Sequence, residues 1–334
     1  MSDAPIRIGI LGAARIAPMA LVRPARDVRG VSITAIAARD PQRAQAFAAK
    51  QGIPRVLPSY EELVHDAQID AVYNPLPNSL HCEWTVRALE AGKHVLCEKP
   101  IGANTPEAER MAAAARQSGR VLAEAFHWRY HPLAARMKAI LDAGELGPVR
   151  HIEAHFCIPL LRRGDIRYQL ALAGGATMDV GCYTISIVRF LAGAEPEVTR
   201  AQAALSSPGV DRSMSADLRF PDGRTGRITC ALLSPFLIRA SASVRGDRGN
   251  LSVLNPIVPH FFHRLTVRND LGKRTERLYG DATYTHQLRA FAAAIRGGPP
   301  LPTGPEDAVA NMRVIDAVYA KAGLPVRGAT NPAG

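Results

Sequence analysis

The 334-residue sequence predicts an α/β fold. A doubly wound, parallel-sheet domain comes first, and an α+β domain with a large, open, mostly antiparallel sheet follows. Two observations predict this. From Ile6 to about Phe126, near-continuous Val/Ile/Ala runs alternate with Ala-rich amphipathic stretches, as a parallel sheet covered on both faces requires. After Arg129, strand-like runs succeed one another without helices between them, the pattern of an antiparallel sheet. The length also exceeds what one small core fills. The boundary is therefore set where the pattern changes, giving domains 1–127 and 128–334.

In the first domain the strands read "IRIGIL", "VSITAIAA", "DAVYNPL", "KHVLCE" and "RVLAEAF", with helical stretches such as "PQRAQAFAAK" and "HCEWTVRALEAG" between them. In the second, a helix ("PLAARMKAILDAG"), a strand ("VRHIEAHFC") and an irregular stretch lead to a helix from about Thr177 to Leu191. Then come "RSMSADLRF", "RTGRITCALL", "FLIRASASVRG", "GNLSVLN" and "HRLTVRND", with Pro221-Asp222-Gly223 as the clearest turn. Two helices with glycine stops, "THQLRAFAAAIRGG" and "PEDAVANMRVIDAVYAKAG", close the chain.

Composition narrows the function classes. Hydrophobic residues make up 47% and charged residues 21%, which excludes a disordered chain. The net charge is +11, but the basic residues are scattered with no aromatic-basic signature, so nucleic acid is not the expected partner. A positive field that draws in anionic cofactors or substrates is the simpler reading. No apolar run is read as reaching the roughly 18 residues of a membrane span, and Met1 to Arg7 lacks signal-peptide regions; a cytoplasmic protein is expected. The five cysteines (Cys82, Cys97, Cys157, Cys182, Cys230) are an odd number, far apart and without C-x-x-C, which implies buried free thiols and no metal site.

Two motifs carry chemistry. "GILGAARIA" places Gly12, Ala14 and Ala17 at the three positions of G-x-G-x-x-G directly after the first strand, so Gly12, Ala13, Ala14, Arg15 and Ile16 form the expected dinucleotide turn. Small residues there let the backbone approach a pyrophosphate. At the end of the second strand an NAD site wants a carboxylate for the ribose 2'-hydroxyl, and this sequence has Ala37-Ala38-Arg39. Arg39 suits a 2'-phosphate, so the expected cofactor is NADP, with NAD the alternative. The second motif is Glu98-Lys99-Pro100, which ends a strand at the edge where open α/β sheets bind ligands. Pro100 disfavours helix at Lys99, which suits a loop built to hold one lysine in place.

With "YNPLPNSLH", "EAFHWRYHP", "GGATMDVGCY" and the closing helices, these motifs resemble the Gfo/Idh/MocA oxidoreductases over essentially the whole chain. The branch resembled is that of glucose-fructose oxidoreductase and dimeric dihydrodiol dehydrogenase. The resemblance implies an N-terminal Rossmann domain and a C-terminal domain that binds substrate and forms a homodimer or homotetramer through its sheet. It implies Lys99 as catalytic lysine and Glu98 as a shaper of the cofactor pocket. Leu76, Pro77, Asn78 and His81 would line the ribose and nicotinamide side, and Arg129 would stand near the nicotinamide end. Asp179 and Tyr183, four apart, share a helix face if the helix has begun.

Most of the family carries His where Tyr183 stands here. A tyrosine, with an unperturbed pKa of about 10, is brought towards neutrality by a nearby ammonium. Tyr183 is therefore expected to be the acid/base, Lys99 to polarise the substrate oxygen, and Asp179 to bind substrate or orient Lys99. Arg163, Asp165, Arg167 and Tyr168 stand in the loop where this branch gathers substrate contacts, and Arg163 and Arg167 are the expected substrate arginines. The expected activity is NADP-preferring hydride transfer on a sugar or sugar-like polyol. The rivals are a trans-dihydrodiol or dicarbonyl-type dehydrogenase, and a non-catalytic NAD(P)-binding regulator.

Overall fold

The computed structural model describes residues 4–162, 164–234 and 238–328. In chain order the elements are β1 (Ile6–Leu11), α1 (Arg23–Asp27), β2 (Val31–Ala37), α2 (Pro41–Gln51), β3 (Arg55–Leu57), α3 (Tyr60–His65), β4 (Ala71–Asn74), α4 (Asn78–Glu90), β5 (His94–Cys97), α5 (Thr105–Ser118) and β6 (Leu122–Glu124). Next come α6 (Pro132–Asp142), β7 (Val149–Cys157), α7 (Cys182–Ala192), β8 (Glu197–Ser207), β9 (Val210–Arg219), β10 (Thr225–Ala231) and β11 (Arg239–Gly246). Then follow β12 (Gly249–Leu254), β13 (Arg264–Asn269), β14 (Gly272–Glu276), α8 (Thr283–Ile295) and α9 (Pro305–Lys321). The chain forms two compact units, 1–127 with 282–309, and 128–281 with 310–334.

The first unit holds a six-stranded parallel sheet in the order β3-β2-β1-β4-β5-β6. This is the order of a dinucleotide-binding Rossmann sheet, whose strand order reverses beside β1. Local chemistry fixes the helix ends: the Asp40 side chain accepts from the N–H groups of Gln42 and Arg43 ahead of α2, and Gly52 closes that helix at φ 72°. The core joins Ile6, Ile8 and Ile10 of β1 to Leu21 and Val22 and to Tyr284, Leu288 and Phe291 of α8. The sequence reading left residues 282–309 with the second domain. They belong with the first unit because the apolar face of α8 has its burial partners there.

The second unit holds an eight-stranded sheet in the order β14-β13-β12-β11-β7-β10-β9-β8. Every neighbouring pair is antiparallel except β7 with β10. The turn at Pro221-Asp222-Gly223 joins β9 to β10, with Gly223 at φ 85°. α7 packs on β7 and β10 and is buried at every residue but Phe190.

Three strands escape the sequence pattern: β3, β8 and β14. All are edge strands, half wetted, and their sequences are short or carry alanine and charge where a central strand carries Val or Ile. The expectation that no run reaches membrane-spanning length also needs correction. Leu170–Ala192 is long and apolar enough, but 83% of its most apolar window is buried inside the protein, as a core helix requires. All five cysteines are buried thiols, none in a disulfide.

Candidate active site

At the carboxyl edge of the six-stranded sheet, β1 ends at Leu11 and Gly12 reverses the chain at φ +82°, its N–H donating to the Ala37 carbonyl at 2.7 Å. A Cβ there would press Leu76 Cδ2 at 3.0 Å, and the positive φ itself favours glycine. Ala13, Ala14, Arg15 and Ile16 carry the turn into a five-residue π-helical segment, Pro18–Val22, while Ala17 is fully buried against the sheet. Gly12, Ala13 and Ala14 leave the backbone approachable, which fits a pyrophosphate.

Beyond β2, Ala38 is buried and Arg39 is exposed. The neighbouring acid, Asp40, uses one carboxylate oxygen to cap α2, accepting from the Gln42 and Arg43 N–H groups. Burial raises the Tyr60 phenol, while Arg39 and Arg43 nearby pull it down. Tyr60 Oη also lies 3.5 Å from where a Gly12 Cβ would stand. Tyr60 therefore stands close to both the Gly12 turn and the two arginines, a placement no short motif announces.

Leu76 and Pro77 form the loop after β4, and Asn78 opens α4. Asn74, fully buried, ties that loop down: its amide donates to the His81 carbonyl at 3.2 Å and to Thr85 Oγ1 at 3.1 Å, and its Oδ1 accepts from Leu76 N–H at 3.3 Å. His81 departs from the expectation that it lines the cofactor. It is 1% exposed, with Nε2 2.7 Å from the Leu76 carbonyl and Nδ1 2.8 Å from the Pro100 carbonyl. Burial pushes its pKa down to about 4 against the pull of those two carbonyls. His81 is a strut between the loop after β4 and the turn after β5.

That turn carries Lys99, and three buried anchors hold it. Glu98 accepts from the Tyr73 hydroxyl at 2.6 Å, and burial first, then Glu98, raises the Tyr73 phenol so that it stays a donor. Glu98 N–H donates to the Asn74 carbonyl at 3.0 Å, and Ile101 N–H donates to Glu124 Oε1 at 2.8 Å. The Lys99–Pro100 peptide is cis. Glu98 thus shapes the turn by gripping β4, and Gly12, Arg39, Asn78 and Lys99 follow the carboxyl ends of β1, β2, β4 and β5.

In the second unit, Thr177–Gly181 is π-helical and runs straight into α7, so the helix has begun where Asp179 stands. Tyr183, 6% exposed, meets Phe156 edge-on at 5.6 Å. Arg167 donates from Nε to Asp179 Oδ2 at 2.7 Å and from Nη1 to the buried Asp165 at 3.0 Å. Asp179 leads the influences that hold the Arg167 guanidinium above its ordinary pKa. The observed partner of Asp179 is thus the arginine expected to meet substrate. Tyr168 is anchored through its hydroxyl to the Leu160 carbonyl at 2.8 Å. Arg129, expected at the nicotinamide end, lies over the Phe190 ring at 4.4 Å, and His131 caps α6. Arg163 lies outside the described residues.

Comparisons with known proteins agree with this geometry. Residues 6–126 match the model of an oxidoreductase family with an NAD-binding Rossmann fold, and residues 134–252 match the GFO/IDH/MocA C-terminal domain. An uncharacterised oxidoreductase of Rhizobium meliloti is 37% identical over 95% of this chain and 97% of its own. A D-xylose 1-dehydrogenase (NADP+) of Haloferax volcanii is 36% identical over 94% of this chain and 96% of its own. Among solved structures, the 3-ketoreductase KijD10 of Actinomadura kijaniata, in complex with NADP and TDP-benzene, superposes with a TM-score of 0.88 at 32% identity, covering 95% of this chain and 98% of its own. With the Gly12 turn at β1 and the lysine turn at β5 on one sheet edge, and with matches that extend over both units, this chain belongs to the Gfo/Idh/MocA family of oxidoreductases.

Proposed function

We propose that the chain is an NADP-preferring oxidoreductase that interconverts a secondary alcohol and ketone, or a lactol and lactone, on a sugar or sugar-like polyol. One observation carries this reading: the dinucleotide turn at Gly12, the exposed Arg39 and the anchored Lys99 follow the carboxyl ends of strands in one parallel sheet, where such folds bind nucleotides. Gly12 to Ile16 would hold the pyrophosphate, Arg39 the 2'-phosphate, and Leu76 to Asn78 the ribose side. The bound nicotinamide supplies hydride exchange with the substrate carbon. Lys99 polarises the substrate oxygen, Tyr183 gives or takes its proton, and Asp179 with Arg167 binds the neighbouring hydroxyls. Support for NADP and for a sugar comes from the relatives, which include an NADP-dependent xylose dehydrogenase and an NADP-bound sugar ketoreductase homologue.

Assembly is part of the same reading. One face of the eight-stranded sheet bears α7; elsewhere the sheet has a shallow depression of about 730 Å³ whose lining includes Ser241, Ser243, Ser252 and Thr266. Arg239, Arg245, Arg264, Arg268 and Lys273 also line it beside Glu153, and a homodimer or homotetramer formed through this sheet would have to pair or splay these cations.

The test is titration with NADPH and NADH side by side, followed by nicotinamide absorbance with NADP+ or NAD+ as hydride acceptor while D-xylose, D-glucose, polyols and a trans-dihydrodiol are added. Tighter NADPH binding and turnover of an aldose or polyol are expected. Turnover of the dihydrodiol alone would move the assignment to the dehydrogenase that is 35% identical over 67% of this chain in pig. NADPH binding with no turnover across the panel would favour a regulator.

A further inference from the structure

Behind the Asp179 turn lies a buried cluster that the proposed chemistry does not use. Asp211, at the start of β9, and Arg327, beyond α9, form an ion pair at 2.8 Å with both side chains fully buried. The same carboxylate takes three more donors: Thr177 N–H and Thr177 Oγ1–H on Oδ2, both at 2.7 Å, and the Tyr319 hydroxyl on Oδ1 at 3.0 Å. Arg327 Nε donates to the Gly174 carbonyl at 2.7 Å, and Nη1 to the Pro325 carbonyl at 3.0 Å. Burial, with the Asp211 charge beside it, holds the Tyr319 phenol well above its ordinary pKa, so it remains a donor. Gly175, at φ +136°, lies directly on this cluster: a Cβ there would run into the Asp211 carboxylate, Arg327 Nη2 and Tyr319 Oη.

The cluster grips one short segment. Gly174 and Thr177 bracket the turn into the π-helical residues Thr177–Gly181, and two residues past Thr177 stands Asp179. On the other side of that turn Gly175 N–H donates to the Arg167 carbonyl at 2.8 Å, and Arg167 holds the Asp179 carboxylate. The start of the helix is thus fixed from β9 and from the C-terminal segment, while the Asp179 side chain is fixed from the Arg167 loop. A buried ion pair is a poor source of net stability, because desolvation offsets the attraction; its best-attested use is to fix the register of the elements it joins. A π turn needs such a constraint, since its wider hydrogen-bonding ring competes with ordinary α-helix.

We propose that Asp211, together with Arg327 and Tyr319, is a positioning residue for the active site. It sets the register of the Thr177–Gly181 turn and through it the placement of Asp179 and Tyr183. This rests on the reading of Tyr183 as the proton-transfer group.

Thr177→Val and Tyr319→Phe each remove one hydrogen bond to Asp211 with almost no change in volume, so the full-length protein is expected to fold. Two readouts apply. Tyrosine labelled with ¹³C at Cζ, with the Tyr183 resonance assigned by its loss in Tyr183→Phe, reports the ring's environment without any substrate. Steady-state kinetics use NADP+ with D-xylose, or with whichever aldose or polyol the panel above identifies. Each variant should shift the Tyr183 resonance and its titration midpoint, and lower kcat about 10- to 100-fold with KM for NADP+ unchanged, as expected for a small misplacement of a reacting group. In the Tyr183→Phe background the further loss from Thr177→Val should nearly vanish. An unmoved Tyr183 resonance with unchanged kcat in both variants would overturn the positioning role while leaving Tyr183 as the acid/base. Full turnover by Tyr183→Phe alone would overturn the reading of Tyr183, and the positioning inference with it.

Discussion

Arg39 and Asp40 stand side by side after β2 and do different work: Asp40 caps α2, and Arg39 presents an exposed guanidinium. A charge-assisted contact to a 2'-phosphate is worth about 1.5–3 kcal/mol, so Arg39→Ala should weaken NADPH binding about 10-fold or more and leave NADH binding nearly unchanged. Calorimetric titration with both cofactors checks this, and an equal loss for both would refute the assignment of Arg39 to the 2'-phosphate. At Tyr183 the phenylalanine variant should retain cofactor affinity and lose about 10²- to 10⁴-fold in kcat, the usual contribution of a positioned acid or base. Gly175 tests the backbone instead. Alanine there meets both a positive φ and the buried carboxylate, so Gly175→Ala should cost at least about 2–3 kcal/mol, read as a fall in the denaturation midpoint.

The first unit carries a pH dependence through two histidines. Burial lowers both His81, after Asn78 in α4, and His94, at the start of β5, to about 4. Both therefore take up protons more readily in the unfolded chain, where an ordinary histidine titrates near 6.5. A depressed folded pKa gives stability that is present above about pH 6.5 and is lost as pH falls towards 4. Two such groups should make unfolding free energy fall by up to about 2.7 kcal/mol per pH unit across that window, and His94→Gln should halve the slope. Denaturant melts at half-unit pH intervals measure it; a flat profile between pH 6.5 and 4 would show that neither histidine is held neutral.

At the scale of the whole molecule, the second unit depends on its last described turn. Arg327 comes after α9, yet it is fully buried on Asp211 and holds the Gly174 carbonyl. A chain ending at Leu324 leaves the Asp211 carboxylate without its cation, and breaking a buried pair this way costs about 3–5 kcal/mol. That truncation should lower the thermal midpoint of the second unit sharply; an unchanged midpoint would show that water or a neighbouring side chain replaces Arg327. Sedimentation velocity addresses the assembly proposal: a dimer or tetramer is expected, broken by introducing bulk and charge with Ser243→Arg and Ser252→Arg on the sheet, whereas a monomer at micromolar concentration would remove it.

The sequence by itself determined the alternation of buried strands and helices, the Gly12 turn, the lysine turn after β5 and the Asp179–Tyr183 spacing, because each is a local rule: periodicity, a steric need for a small residue, or helical spacing. It determined the central strands but not β3, β8 and β14, whose edge positions leave no strong apolar pattern to read. Tertiary structure alone decided what side chains of the same type do. His81 turned inward because two carbonyls, five residues before it and nineteen after, converge on its ring. Arg129 lies over Phe190, and Arg167 binds Asp179 across a loop. Asp211, Tyr319 and Arg327 span more than 100 residues of chain before they meet beneath Gly175. Burial and pairing over such distances depend on which elements pack together, and no window of sequence contains that information.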